Sequence, residues 1–163
     1  MFNAANHNLL VEVLLEGRNP YSADSLSDAE TRALRKALPA GETVLALLRG
    51  VTPRSGQTVW ALTASRVWMV QAGWRNQPRS MAASSVRKVD LVRGKYGVTI
   101  GLDNGSERCS VFGADRALAM VFAQAVCQCS GASLSTHKID ALTAQEAHQA
   151  QGLTQQAAAL LAA

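Results

Sequence analysis

The sequence lacks several features that would place it in a well-defined class of protein. No apolar run approaches the roughly 20 residues that a membrane-spanning helix needs. The N-terminus has no positively charged start, and Glu12 and Glu16 interrupt the apolar segment that follows it, so a secretory signal is not predicted. The three cysteines are an odd number, which argues against a disulfide framework. We therefore expect a cytoplasmic location.

The cysteines and histidines do not form a ligand pattern. Cys127 and Cys129 are two positions apart on a predicted helix, where such neighbours point away from each other, and a zinc knuckle needs two residues between its thiolates. His7, His137 and His148 all lie in the flanking helical segments or the tail. We predict small, partly buried thiols, and no metal or other cofactor.

Catalytic motifs are missing as well. The chain has no His-x-x-x-His pair, no Gly-x-Ser-x-Gly sequence and no phosphate loop. Asp90 and Asp103 are the only aspartates of the strand-rich region, and Asp103 adjoins an Asn-Gly turn, so a catalytic carboxylate pair is not expected. The sequence therefore predicts a protein that is not an enzyme and has no small-molecule substrate.

Acidic residues are scarce in the middle of the chain. Residues 44–112 carry 10 basic and 3 acidic side chains, a net charge of +7, whereas residues 1–43 carry 4 and 6 and residues 113–163 carry 2 and 3. Hydrophobic residues make up 48% of the chain, which is typical of a folded domain. The basic middle could attract phosphates or an acidic protein surface, although a solvated basic face is the commoner cause of such a bias.

Two short helices are predicted ahead of the basic region. The first spans residues 6–16. The second begins at Ser27, which forms a capping box with Glu30, and it ends at Pro39. Neither helix is long enough to be stable by itself, so both are expected to dock on the strands that follow.

From Glu42 onward the pattern changes to short strands. Val98, Ile100 and Leu102 alternate with smaller residues, and Asn104-Gly105 is typical of a type I′ hairpin turn. The seven predicted strands span residues 43–51, 58–62, 66–71, 79–83, 86–93, 98–102 and 107–112. This number of strands at this spacing predicts a small all-β sandwich or barrel.

An amphipathic helix follows the last predicted strand. Asp115 is placed to cap it, and Ser130-Gly131 ends it, so we expect this helix to close the barrel. Beyond it, residues 132–163 are rich in Ala and Gln, with a second capping box at Thr143 and a predicted break at Gly152. This helical tail is expected to be ordered only where it docks on the domain or on a partner.

Three stretches of the chain show a resemblance to a known family. Residues 38–45 read Leu-Pro-Ala-Gly-Glu-Thr-Val-Leu, residues 62–67 read Leu-Thr-Ala-Ser-Arg-Val, and Ser84-Ser85-Val86 precedes a further strand. This pattern resembles the bacterial PH-like (pleckstrin-homology-type) domains, which carry a Leu-…-Gly-Glu segment before the first strand and a Leu-Thr-x-x-Arg turn in the second hairpin. The resemblance covers roughly residues 38–130.

The resemblance implies a fold that is mostly β with α. The expected barrel has about seven antiparallel strands capped by a C-terminal helix, with two short N-terminal helices and a helical Ala/Gln-rich tail. On this basis the chain divides into an N-terminal helical extension (1–40), the barrel with its capping helix (41–131) and the tail (132–163).

The resemblance also implies a non-enzymatic interaction or assembly module that self-associates or recruits a protein partner. It does not imply phosphoinositide binding, which belongs to relatives with a basic loop between the first strands; here that loop offers only Arg49 and Arg54. The alternative is a peripheral binder of anionic surfaces, either membrane head groups or nucleic acid, that uses the basic barrel.

Six residues are candidate partner contacts. Trp74 and Arg75 share a predicted turn, where an exposed Trp would serve as an anchor. The other four are basic and lie near one predicted strand: Arg87, Lys88, Arg93 and Lys95. Because neighbouring residues of a strand point to opposite faces, these four side chains are not expected to converge on one ligand.

The second hairpin contains other conspicuous residues with structural explanations. Thr63 is predicted to bond the backbone of its turn, and Arg66 to lie along the barrel surface. Trp60 and Trp68 lie on the two strands of this hairpin, and one or both are expected in the core.

Overall fold

The computed structural model describes residues 26–52, 56–71 and 77–162. In these residues the protein is a mixed α/β fold with eight strands and three α-helices. The helices are α1 (Asp28–Ala37), α2 (Arg116–Ser130) and α3 (Ala144–Ala162). The strands are β1 (Ala46–Thr52), β2 (Gly56–Leu62), β3 (Arg66–Val70), β4 (Arg79–Ala82), β5 (Lys88–Gly94), β6 (Gly97–Asp103), β7 (Arg108–Ala114) and β8 (Ser133–His137).

All eight strands form one sheet, in the order β4-β3-β2-β1-β7-β6-β5-β8. Strands β1 to β7 lie at the predicted positions and pair antiparallel with their neighbours. β1 and β7 pair only where Val51 faces Phe112, so two groups of strands meet at this junction. The arrangement is compatible with a barrel-like sheet.

An eighth strand was not predicted. β8 pairs in parallel with β5, from Ser133 opposite Lys88 to His137 opposite Val92. It lies in the segment predicted as a helical tail, so that part of the prediction is wrong. The physical reason is that β8 buries no apolar face of its own, since all five of its residues are exposed, and β5 supplies its backbone partners.

Two separate apolar clusters hold the helices to the sheet. The larger lies between the inner face of the sheet and α2, where the Trp60 and Phe122 rings are 6.3 Å apart. The smaller lies on the outer face of β1–β3, beneath α1 and α3, and includes Leu34, Val59 and Ala157. Trp60 is in the core, as predicted, and Trp68 packs partly buried against the outer cluster. The Ala/Gln-rich tail is therefore docked on its own domain.

The start of α1 agrees with the prediction but adds an unexpected ion pair. The Ser27 hydroxyl caps the helix by accepting the Glu30 backbone N–H at 3.1 Å. The Glu30 carboxylate accepts hydrogen bonds from the Ser27 hydroxyl and from Arg49 Nη2, the latter at 2.8 Å in a buried salt bridge. Arg49 thus lies inside β1 and is bound to α1, not in the loop after the first strand.

Two predicted details of the backbone are wrong. Asn104 does not have the positive φ of a type I′ turn; its side chain instead accepts the backbone N–H groups of Ser106 and Glu107, and Gly105 alone takes φ +89°. Helix α3 continues through Gly152.

The predicted helix at residues 6–16 lies outside the described residues. No helix in the described part of the chain has both the length and the apolar character to cross a membrane.

Candidate functional site

Two of the stretches that carry the family resemblance, residues 38–45 and 62–67, contact each other. The Ser65 hydroxyl, in the turn between β2 and β3, donates a hydrogen bond to the Glu42 carboxylate, which precedes β1. Hydrogen bonds from Ser65 and Thr63 lower the pKa of Glu42 below its ordinary value. Thr63 also accepts the Arg66 backbone N–H at 3.2 Å, as predicted for a turn residue. This cluster ties the start of β1 to the second hairpin, which is a structural role.

The structure divides the predicted contact residues into separate groups. Trp74 and Arg75 lie outside the described residues. Arg87 and Lys88 lie at the beginning of β5, whereas Arg93 and Lys95 lie at its end, about 20 Å away along the strand. The four basic side chains therefore do not form one patch, because the length of β5 separates the two pairs.

The pair at the beginning of β5 belongs to a network with an acidic centre. Lys88 Nζ lies 3.5 Å from Asp90 Oδ1, and Arg108 Nη1 lies 2.8 Å from Asp90 Oδ2. Burial raises the pKa of Asp90, but the hydrogen bond from Arg108 and the charge of Lys88 outweigh it and leave the pKa lowered. The guanidinium of Arg87 lies over Gly105, in the β6–β7 turn. The charges of Lys88 and Arg108 are therefore partly balanced by Asp90, whereas Arg87 extends toward the β6–β7 turn.

The pair at the end of β5 opens onto a basic cleft. We use "basic cleft" for the open cavity of about 360 Å³ between the β5–β6 turn, the start of α2 and the segment after β8. Four basic side chains and one acidic side chain line it: Arg93, Lys95, Arg116, Lys138 and Asp140. Sequence reasoning missed Arg116 and Lys138, because they come from distant segments and neither stands in a local basic run.

One cation of the basic cleft, Arg116, is held by several neighbouring groups. Arg116 Nη1 donates to the backbone oxygen of Asp140 at 2.7 Å, and Arg116 Nη2 pairs with Glu146. Lys95 Nζ lies 5.0 Å from the centre of the Tyr96 ring. The side chains of Arg93 and Lys138 have no ion pair or hydrogen bond in the described part of the chain. Positive charge is therefore concentrated here without an equal number of carboxylates.

The outer edge of β8 is the second candidate surface. The Ser133 backbone N–H donates to the Arg87 oxygen at 3.1 Å, so Ser133 and every second residue after it direct their backbone groups toward β5. By alternation, the N–H and C=O groups of Leu134 and Thr136 point away from the sheet. All five β8 residues are exposed and none carries a formal charge.

The opposite edge of the sheet differs. β4 is only four residues long, follows Pro78 and begins at the charged Arg79, which are the features that natural proteins use to discourage pairing at an edge. β8 has no proline, glycine or charge. Only the β-branched Thr136 and the alternate Leu134 could have indicated a strand there.

The three thiols behave as packing residues. Cys109, Cys127 and Cys129 are free and partly buried, as predicted, and all three pack against the larger apolar cluster. Burial raises the pKa of Cys109 and of Cys127, which lowers the thiolate fraction at neutral pH. Among the described residues, no three His, Cys, Asp or Glu side chains come together as a set that could hold a metal.

Comparison with known proteins adds no family to these observations. No protein-family model matches the sequence, and none of the curated proteins compared with it matches either. The contacts of the described residues therefore carry the functional argument.

Proposed function

We propose that this chain is a non-enzymatic assembly module with PH-like architecture, and that it pairs with a second copy of itself through the outer edge of β8. The PH-like part of the proposal is supported by the order of the elements. The resemblance implies about seven antiparallel strands capped by a helix, and in the structure β1 to β7 pair antiparallel with one another and a helix directly follows β7.

The single observation that carries the proposal is the outer edge of β8, which no strand of the described residues covers. The outward N–H and C=O groups of Leu134 and Thr136 form a row that another strand can extend. Backbone groups at such an edge gain hydrogen bonds when a strand is added, and the five exposed, uncharged β8 residues offer little resistance to close approach. This edge is thus a template for strand addition.

A second copy of the chain is the partner that fits this edge best. Antiparallel pairing about a two-fold axis at Ser135 places Leu134 of each copy opposite Thr136 of the other, so the outward backbone groups meet in both directions. No charged residue of β8 faces a like charge in this register. An extended segment of another protein is the competing occupant, and the experiment below separates the two.

A broad anionic-surface function has less support. Lys88 and Arg108 share Asp90, and Arg79 pairs with Glu107 at 3.5 Å, so much of the positive charge in the middle of the chain has local counter-charges. The exception is the basic cleft, which has the size of a small-ligand site and not the form of an extended surface.

A structural use of the ionisable groups supports the non-enzymatic part of the proposal. Glu30, Asp90 and Glu146 are each bound to an arginine, and the hydroxyls of Ser65 and Thr63 hold Glu42. A cytoplasmic location is also part of the proposal, and three unpaired cysteine thiols are in keeping with a reducing compartment.

Light scattering on the purified chain and two Thr136 variants tests the proposal. Thr136→Pro removes the outward N–H and leaves the bonds from β8 to β5 in place, since proline is tolerated at a strand edge when its nitrogen faces solvent. Thr136→Ala removes the same side chain and keeps the N–H. We expect the unaltered chain and Thr136→Ala to be dimers at all salt concentrations, and Thr136→Pro to be a monomer with an unchanged circular dichroism spectrum.

Two results would overturn the proposal. One is a monomer for the unaltered chain over the whole accessible concentration range, which would leave the edge to another protein. The other is a dimer that Thr136→Pro does not weaken, which would place the interface elsewhere.

A further inference from the structure

We infer that the basic cleft binds a compact, multiply charged phosphate group, as found in a phosphate monoester or a pyrophosphate. This goes beyond the proposed assembly function and does not depend on it, because the cleft is formed within one copy of the chain. The inference is carried by the way in which the fold gathers Arg93, Lys95, Arg116 and Lys138 around one cavity.

The charge of the cleft favours an anion. Its lining carries four cations and the carboxylate of Asp140. The carboxylate of Glu146, which also accepts the Thr143 backbone N–H at 2.8 Å, offsets the charge of Arg116, so a formal excess of two positive charges remains. A multiply charged ligand would relieve the mutual repulsion of the cations, whereas a neutral ligand would not.

The identity of the cations suits a phosphate. Arg93 presents a planar guanidinium group, whose paired N–H donors match two oxygens of a phosphate, and two lysines add compact charges. Arg116 is already held by the backbone oxygens of Asp140 and Ala141 and by Glu146, so one side of the cleft is ordered before any ligand arrives. Such preorganisation reduces the entropy lost on binding.

The shape of the cleft favours a small group over a polymer. The cations come from three separate places, namely the β5–β6 turn region, the start of α2 and the residue after β8, and they surround a volume of about 360 Å³. Nucleic-acid backbones are instead followed by basic residues arranged in a stripe. The phosphate could belong to a soluble molecule or to a lipid head group, and the experiment distinguishes these sources.

The test is calorimetric titration of the full-length chain with inorganic pyrophosphate at low ionic strength. The cleft variant is Arg93→Gln with Lys138→Gln. The matched control is Arg87→Gln with Lys88→Gln, which removes the same charge near the same strand but at its other end. We expect saturable binding of one pyrophosphate per chain, at least tenfold weaker in the cleft variant and changed by less than about twofold in the control.

Sedimentation with vesicles identifies the source of the phosphate. Vesicles containing phosphatidic acid present a phosphate monoester, and vesicles with equal phosphatidylglycerol present only a diester. Retention on the first alone, lost in the cleft variant, assigns the cleft to a lipid head group; pyrophosphate binding without retention assigns it to a soluble ligand. The inference is overturned if neither pyrophosphate nor phosphatidic acid binds, or if both double variants weaken binding equally.

Discussion

Asp90 shows how one residue organises the outer face of β5, β6 and β7. Its carboxylate accepts a hydrogen bond from Arg108 of β7, whose side chain reaches across Gly101 of β6, and it also forms an ion pair with Lys88 of its own strand. A Cβ atom at Gly101 would lie 2.5 Å from Arg108 Nη2, so the absence of a side chain at this position lets the guanidinium cross the strand. The charge network therefore depends on a glycine as much as on its ions.

The lowered pKa of Asp90 predicts a contribution to acid sensitivity. Because its pKa is lower in the folded chain than in the unfolded chain, Asp90 stabilises the fold above the unfolded pKa of about 4, and this contribution is lost as the pH falls through the folded pKa. Asp90→Asn should therefore reduce the decrease in unfolding free energy between pH 5 and acid, measured by urea titration at a series of pH values.

Arg108→Gln provides a second comparison. It removes the donor of the 2.8 Å bond while leaving the carboxyl group, so the pKa of Asp90 in the folded chain should rise toward its unfolded value and less stability should be lost on acidification than in the unaltered chain. Identical acid profiles for all three proteins would show that Asp90 does not contribute through ionisation.

At the scale of elements, glycines have opposite roles in β1 and α3. Gly50 lies where β1 approaches β7, and a Cβ atom there would be 2.1 Å from Val111 Cγ1 and 2.7 Å from the Phe112 backbone oxygen. Gly152 lies in α3, and a Cβ atom there would meet nothing within 4 Å. The first glycine permits a strand junction, whereas the second only weakens a helix.

Alanine substitutions should separate these roles. Gly152→Ala should raise the free energy of unfolding by about 0.5–1 kcal/mol, because alanine loses less backbone entropy in a helix. Gly50→Ala should lower it by about 1–3 kcal/mol, because the backbone of β7 cannot move aside without breaking its pairing. Urea denaturation measures both, and equal effects of the two substitutions would contradict the assigned roles.

At the scale of the whole molecule, α3 joins the two apolar clusters to each other. Ala150 belongs to the larger apolar cluster, between the sheet and α2, and Ala157 belongs to the smaller, outer cluster with Leu34 of α1. β1 lies between these clusters and is buried along most of its length for that reason. The tail is thus a part of the fold that both faces of the first strands require.

Two substitutions in α3 test this integration. Ala157→Asp places a carboxylate in the outer cluster without a partner, and we expect it to lower the free energy of unfolding by at least about 2 kcal/mol and to increase binding of a hydrophobic dye. Gln156→Asp adds the same charge on the exposed side of the same helix and should change stability by less than about 0.5 kcal/mol. Equal stability of the two variants would mean that α3 is not docked.

The amino-acid sequence alone predicts the elements whose signals are local. Short apolar runs separated by turn residues, with clear alternation in β6, located β1 to β7. The caps at Ser27, Asp115 and Thr143 located the helix starts, because each cap depends on contacts within a few residues. The resemblance to PH-like domains agrees with this order of elements and stays a prediction. One local signal gave a wrong prediction: the Asn104 side chain accepts backbone N–H groups of the turn, and Asn104 does not adopt the positive φ of a type I′ turn.

The two surfaces on which the functional proposals rest form only when distant segments of the chain come together. β8 has no periodic apolar pattern and exists as a strand because β5 offers it backbone partners. The basic cleft unites Arg93, Arg116 and Lys138, which lie far apart in the chain and meet only when the β5–β6 turn, α2 and the end of β8 come together. Sequence patterns indicate interactions between residues that are close along the chain, whereas these surfaces depend on contacts between distant segments.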